Sequence, residues 1–228
     1  VGVRVGGAHR WLIFPLGFRF EPSELLRVTY PFVLAPLIAA YHKDRLDGAW
    51  WGRFALVLAP LAALYAQPDF GSFLIICMLG FSLFVAFGLR WRLIFAAAAV
   101  AIPALSYMVL LTPYRLARVE AFLNPWADPG EKGFQVIQSM LSFYSGGLTG
   151  VGLGQGQGKL FFLPEAHTDF TLAVLGEEMG FVGFFFLLML YGFLVFRGFQ
   201  ISLHLKKLRE RALALSFSLL IVFAVLEY

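Results

Sequence analysis

Charge is what this sequence has least of. Of its 228 residues only 14% are Asp, Glu, Lys or Arg, while 60% are hydrophobic. An ordinary soluble domain is about a quarter charged. A water-soluble fold of this size would lack the polar surface to cover its exterior, so a soluble globular enzyme is excluded. There is a single cysteine, Cys77, which excludes an internal disulfide and any multi-cysteine metal motif. It sits in the apolar run from Phe73 to Leu79 and reads as a small buried hydrophobe. The chain shows no charged leader with a cleavage site, so no signal peptide is expected. What is present in excess is aromatic: 26 Phe and 5 Trp exclude a disordered chain. The hydrophobicity falls in blocks long enough to cross a bilayer, and an integral membrane protein follows.

The blocks predict an all-α, polytopic transmembrane bundle of five helices and the start of a sixth, over 22–41, 53–66, 70–89, 93–111, 171–196 and from about 212. The last block runs into Tyr228 unfinished, so the sequence is expected to be a piece of a longer chain. Ser23 is the expected cap of the first helix, with Glu24 in its first turn. Pro36, Pro60 and Pro103 fall inside helices, where kinks are expected.

A net charge of +4 does not make a nucleic-acid binder here, because the basic residues sit in short segments between apolar blocks. Lys43, Arg45, Arg53, Arg90, Arg92, Arg197, Lys206, Lys207, Arg209 and Arg211 fall on one side, which the positive-inside rule makes cytoplasmic. The first helix then runs inward, and the long connection of residues 112–170 lies outside. Nearly sixty residues exceed what a structureless connector needs, so a functional loop is expected within one integral-membrane domain covering 1–228. Its stretch from Phe134 to Phe143 is amphipathic and suits a membrane interface. The glycine series from Gly150 to Gly158 follows no strand and lacks a Lys-Ser/Thr ending, so neither nucleotide fingerprint fits; loop flexibility is its expected role.

Three constellations carry chemistry. Glu165, His167 and Asp169 lie within five residues at the entry to the fifth helix. Locally, Thr168 or Asp169 is a helix cap; as a group at the mouth of a bundle, they make a site candidate. Glu24 and Arg27, at i and i+3, share a face of the first helix. Arg27 is inside the apolar stretch, where a charge faces either an ion-pair partner or a cavity. Glu177 and Glu178 are adjacent in the fifth helix and expected about 100° apart, one toward the bundle and one toward a polar neighbour. Gln67-Pro68-Asp69 reads as a turn with an Asp cap, and Arg10-Trp11 as an interfacial cation–aromatic pair. No metal-ligand spacing is present.

Taken in order, Gly7-Ala-His-Arg-Trp-Leu12, Pro22-Ser-Glu-Leu-Leu-Arg27, Gln67-Pro-Asp-Phe-Gly71, Phe122-Leu-Asn-Pro-Trp-Ala-Asp-Pro129, Gln138-Ser139, Ser145-Gly-Gly147, Leu163-Pro-Glu-Ala-His-Thr-Asp-Phe170 and Gly176-Glu-Glu-Met-Gly180 resemble the SEDS family (shape, elongation, division and sporulation). The match covers nearly the whole chain and is nearer the cell-division branch than the elongation one. It departs at Arg27, where Lys is more usual, and at His9. Arg keeps the charge but changes the hydrogen-bonding geometry.

The resemblance implies about ten transmembrane helices in the whole protein. It also implies a peptidoglycan glycosyltransferase that polymerises lipid II at the outer face of the bacterial cytoplasmic membrane, at the division septum. The family's essential carboxylate falls on Asp169, a general base, and its companion acid and basic residue fall on Glu24 and Arg27. Arg10, Trp11, Lys159, Glu165, His167 and Thr168 are the further substrate-binding candidates. No cofactor is evident, although pyrophosphate departure leaves room for a divalent cation. The implied partners are a class B penicillin-binding protein and other divisome proteins. Two other functions remain open: a lipid II flippase, and a non-catalytic divisome scaffold.

Overall fold

A computed structural model describes residues 3–5, 8–13, 19–42, 48–66, 69–88, 90–130, 133–156 and 171–227. They form three short strands and eight α-helices: β1 (Val3–Val5), β2 (Ala8–Ile13), β3 (Arg19–Phe20), α1 (Pro22–Tyr41), α2 (Gly48–Ala66), α3 (Phe70–Ala86), α4 (Trp91–Leu110), α5 (Pro113–Leu123), α6 (Phe134–Gly146), α7 (Thr171–His204) and α8 (Leu208–Glu227). A 3₁₀ turn at Pro125–Ala127 lies between α5 and α6. The chain divides into two compact units, one of residues 1–89 and 193–226, the other chiefly of residues 90–192.

The first unit is a helical bundle fronted by an antiparallel β1-β2-β3 meander, a feature the hydropathy reading did not contain. Trp11 pairs with Val3 and Leu12 with Phe20. Pro22 at the first helical position starts α1, where its missing N–H costs nothing and its fixed φ suits the helix. The cap is Glu21 rather than Ser23. Ser23 is already inside the first turn, buried, and donates to Glu21 Oε1 at 3.0 Å. Proline at the first position puts the cap two residues earlier than a Ser-cap reading gives.

Leu34, Leu37 and Ile38 of α1 meet Val57 and Leu64 of α2, Ile76, Leu79 and Leu83 of α3, and Ala212, Leu215 and Phe223 of α8 in one apolar core. Phe32 and Phe217 add an edge-to-face pair at 5.6 Å between ring centres, the geometry the ring quadrupole favours. Gly198 lies so close to Ser218 that a side chain at 198 would overlap the serine Oγ. Toward the positively charged ends, the His42 ring hydrogen-bonds the Phe87 carbonyl and the Arg211 guanidinium lies 5.9 Å from the Phe87 ring centre.

The starts of α1 and α3 fall where the sequence places them, at Pro22 and Phe70. Asp69 caps α3, accepting the Ser72 amide on Oδ1 at 3.3 Å. Replacing Asp69 with Ala is expected to lower stability by about 1 kcal/mol, the usual worth of an N-cap, read as a fall in the melting temperature of the detergent-solubilised protein.

In the second unit the described part of the long connection between α4 and α7 is structured. Residues 113–123 and 134–146 are the helices α5 and α6, so the amphipathic stretch from Phe134 is a helix. Among the described residues, α1 and α7 are the helices long and apolar enough to cross a membrane, and α2 and α3 are shorter apolar helices. α7 exposes Phe181, Phe185, Phe186, Met189 and Phe193. So much unburied apolar surface suits a membrane environment rather than water.

Candidate functional site

Two polar constructions interrupt the apolar helices, one in each unit. The first is on α1 and the start of α3. Arg27 Nη2 donates to Ser72 Oγ at 2.8 Å, and Arg27 Nη1 lies 3.4 Å from Glu24 Oε1. The Glu24 side chain is 60% exposed and that of Arg27 16%. An exposed ion pair of this length contributes about 0.2–1 kcal/mol, whereas a good hydrogen bond from a charged group contributes about 1.5–3 kcal/mol. Of these two contacts, the one to Ser72 is therefore the stronger. The Glu24–Arg27 proximity expected from their i, i+3 spacing is present, and Ser72 is the partner that sequence reasoning missed. A serine within an apolar helix carries no sequence signal for such a distant partner.

The second construction is a break in α7. Gly180 has φ 67° and ψ −171°, a conformation essentially restricted to glycine. Breaking the helix frees backbone groups on both sides that lipid cannot satisfy. The segment after α6 satisfies them: Val151 and Gly152 donate to the Glu177 and Glu178 carbonyls at 3.0 and 3.1 Å. Phe181 and Val182 in turn donate to the Gly147 and Leu148 carbonyls at 2.9 and 3.1 Å. Gly150, at φ 81°, permits the approach, since a Cβ there would stand 2.7 Å from the Gly180 nitrogen. The described part of the glycine series thus serves close backbone docking, not flexibility alone.

Both Glu177 and Glu178 are buried. Their carboxylates converge on Gly156: Glu178 Oε1 and Glu177 Oε2 lie 3.2 and 3.3 Å from where a Cβ on that glycine would stand. The expected divergence by 100° is therefore not what happens at the ends of the side chains, because each carboxylate has enough reach to turn toward the docked loop. Beside them a cavity of about 380 Å³ is lined by Thr149, Gly152, Leu153, Glu178, Met179, Val182 and Gly183.

Arg10 and Trp11 lie in β2, which is described by its backbone and lies beside α1. Lys159, Glu165, His167, Thr168 and Asp169 fall outside the described residues. Asp169 precedes the first residue of α7, Thr171, by two positions. Among the described residues, no group of three or more His, Cys, Asp and Glu side chains is arranged to hold a metal ion.

Apolar helices, some long enough to span a bilayer, with a part-buried arginine in one unit and a glycine-broken helix in the other, are the features of a multi-pass membrane protein. The FtsW/RodA/SpoVE family, described as cell cycle protein, matches residues 1–227, and the chain belongs to that family. A probable peptidoglycan glycosyltransferase FtsW from Geobacter sp. (strain M18) is 39% identical over 224 residues, 97% of this chain and 60% of that protein. One from Thioalkalivibrio sulfidiphilus is 41% identical over 205 residues, 89% of this chain and 51% of that protein. The chain spans 51–60% of the length of these curated relatives.

Among solved structures, a chain from work on the structural coordination of polymerization and crosslinking by a peptidoglycan synthase complex superposes with a TM-score of 0.72. The two chains are 33% identical, and the match covers 99% of this chain and 63% of that one. The rod shape determining protein RodA of Thermus thermophilus gives a TM-score of 0.61 at 27% identity, covering 99% of this chain and 58% of that one.

Proposed function

We propose that the full-length protein is a peptidoglycan glycosyltransferase that polymerises lipid II at the outer face of the cytoplasmic membrane during cell division. The observation that carries this reading is the part-buried Arg27, which places a cation within an apolar helix, in a chain whose relatives carry the name peptidoglycan glycosyltransferase. In the reaction a sugar hydroxyl of the acceptor attacks the anomeric carbon of the donor. A glycosidic C–O bond forms, the bond from that carbon to the lipid pyrophosphate breaks, and the electron pair leaves with the pyrophosphate.

Asp169 takes the hydroxyl proton as general base, a contribution typically worth ~10²–10⁴-fold. Arg27 stabilises charge building on the departing pyrophosphate, the point where a preorganised cation does most for the transition state. Glu24 tethers Arg27 on α1. Arg10, Trp11, Lys159, Glu165, His167 and Thr168 are the residues we assign to substrate binding. The prenyl tail stays in the bilayer, which accounts for placing this chemistry in a membrane bundle. The partner in this reading is a class B penicillin-binding protein that cross-links the strands, in keeping with the coupling of polymerization and crosslinking described for the similar synthase complex.

A broken membrane helix is also a feature of transporters, and the α7 break favours a lipid II flippase as the second reading. Detergent micelles separate the two, because flipping has no meaning without a bilayer. Purified full-length protein given lipid II in detergent is expected to build glycan chains visible as a ladder on a gel. Lipid II left unchanged by protein that still moves it across vesicle membranes would replace the enzyme reading with transport.

A further inference from the structure

We infer that Ser72 is a positioning residue for the Arg27 guanidinium: its hydroxyl, held by the Asp69-capped start of α3, sets where the cation points. The inference rests on the reading of Arg27 given above and adds to it the element that fixes the charge. Arg27 has a long side chain on α1, and its rotamers are restrained only by what it touches. The 60% exposure of Glu24 makes that carboxylate a loose tether. Ser72 is 1% exposed, in the first turn of α3, and its Oγ accepts Arg27 Nη2 at 2.8 Å.

The serine is itself pinned. Its amide donates to Asp69 Oδ1 at 3.3 Å, so the backbone carrying the hydroxyl is locked to the helix cap. A hydroxyl acceptor has a further merit over a carboxylate at this place. It holds the guanidinium without adding a negative charge beside it. α1 and α3 also pack together through Leu34, Ile76 and Leu79, so the bond joins two elements that are already fixed against each other.

The test is a mutant cycle in the full-length protein, with lipid II as substrate in detergent, comparing Ser72→Ala, Ser72→Thr, Arg27→Ala and the double variant Ser72→Ala/Arg27→Ala. Ser72→Ala is expected to lower kcat about 10- to 100-fold with KM within about twofold, the range a hydrogen bond to a charged group spans. Thr at 72 keeps the hydroxyl and is expected to restore most of the rate. In the Arg27→Ala background, removing Ser72 is expected to change the residual rate less than about twofold, since neighbours acting through one group are non-additive.

A full additional loss in that background, with or without a lowered melting temperature, would overturn the inference and make Ser72 a packing residue. An unchanged kcat in Ser72→Ala would overturn it too. A wild-type rate in Arg27→Ala would instead remove the role given to Arg27, and with it the inference.

Discussion

Asp169→Asn in the full-length protein is expected to abolish glycan-chain formation, with a drop in turnover of about 10²–10⁴-fold, the usual worth of a general base. The substitution changes no volume and removes the ability to hold a proton. Asparagine caps a helix as well as aspartate does, so the substitution is silent wherever the residue serves only as a cap. That isostery separates the two readings of the residue. If Asp169 acts only as a cap, the Asn protein polymerises normally and melts normally. If it is the base, the protein elutes and melts like the wild type and makes no product. The measurement is initial rate against melting temperature on the same detergent-purified preparation.

The second large effect concerns the α7 break. Gly180→Val is expected to cost about 3 kcal/mol or more, because a β-branched residue is placed in a backbone region that only glycine occupies without strain. Any Cβ at 180 also stands 2.6 Å from the Leu148 carbonyl oxygen, so relief requires the 147–152 segment to move away. That movement would break the hydrogen bonds from Val151, Gly152, Phe181 and Val182, leaving backbone groups unpaired in an apolar setting. The expected readouts are a lower melting temperature and fast hydrogen exchange at the amides of residues 151, 152, 181 and 182. Slow exchange and an unchanged melting temperature in Gly180→Val would mean that the break is not held as described. Gly192→Val lies where a Cβ meets nothing within 4 Å and serves as the control for valine in the same helix.

The contrast between these two sites shows what this sequence discloses and what it withholds. The apolar helices were legible because hydropathy and punctuation agree. Pro22 and Asp69 are strong local signals, and α1 and α3 start beside them. The Glu24–Arg27 proximity was legible for the same reason, since spacing along one helix determines it. Ser72 was not: a serine within an apolar helix has no distinctive pattern, and its value comes from a partner 45 positions earlier.

The break at Gly180 was silent for a related reason. Glycine does not interrupt a hydropathy profile, and the conformation at 180 is imposed by the docking of a segment about thirty residues upstream. The convergence of Glu177 and Glu178 on Gly156 likewise depends on that docking and not on helical phase. The β1-β2-β3 meander escaped because its strands are only three, six and two residues long, too short for a period of two to register beside the apolar blocks.

The proposed function is a chemical one, the formation of glycosidic bonds by the full-length protein with expulsion of a lipid pyrophosphate. The most direct measurement is to incubate the purified full-length protein with lipid II in detergent and quantify both products by mass spectrometry. The account predicts one polyprenyl pyrophosphate released for each glycosidic bond formed by the wild-type protein, and neither product from Asp169→Asn. Equal amounts of both products from the wild-type and Asp169→Asn proteins, or intact lipid II after incubation with the wild type, would contradict it.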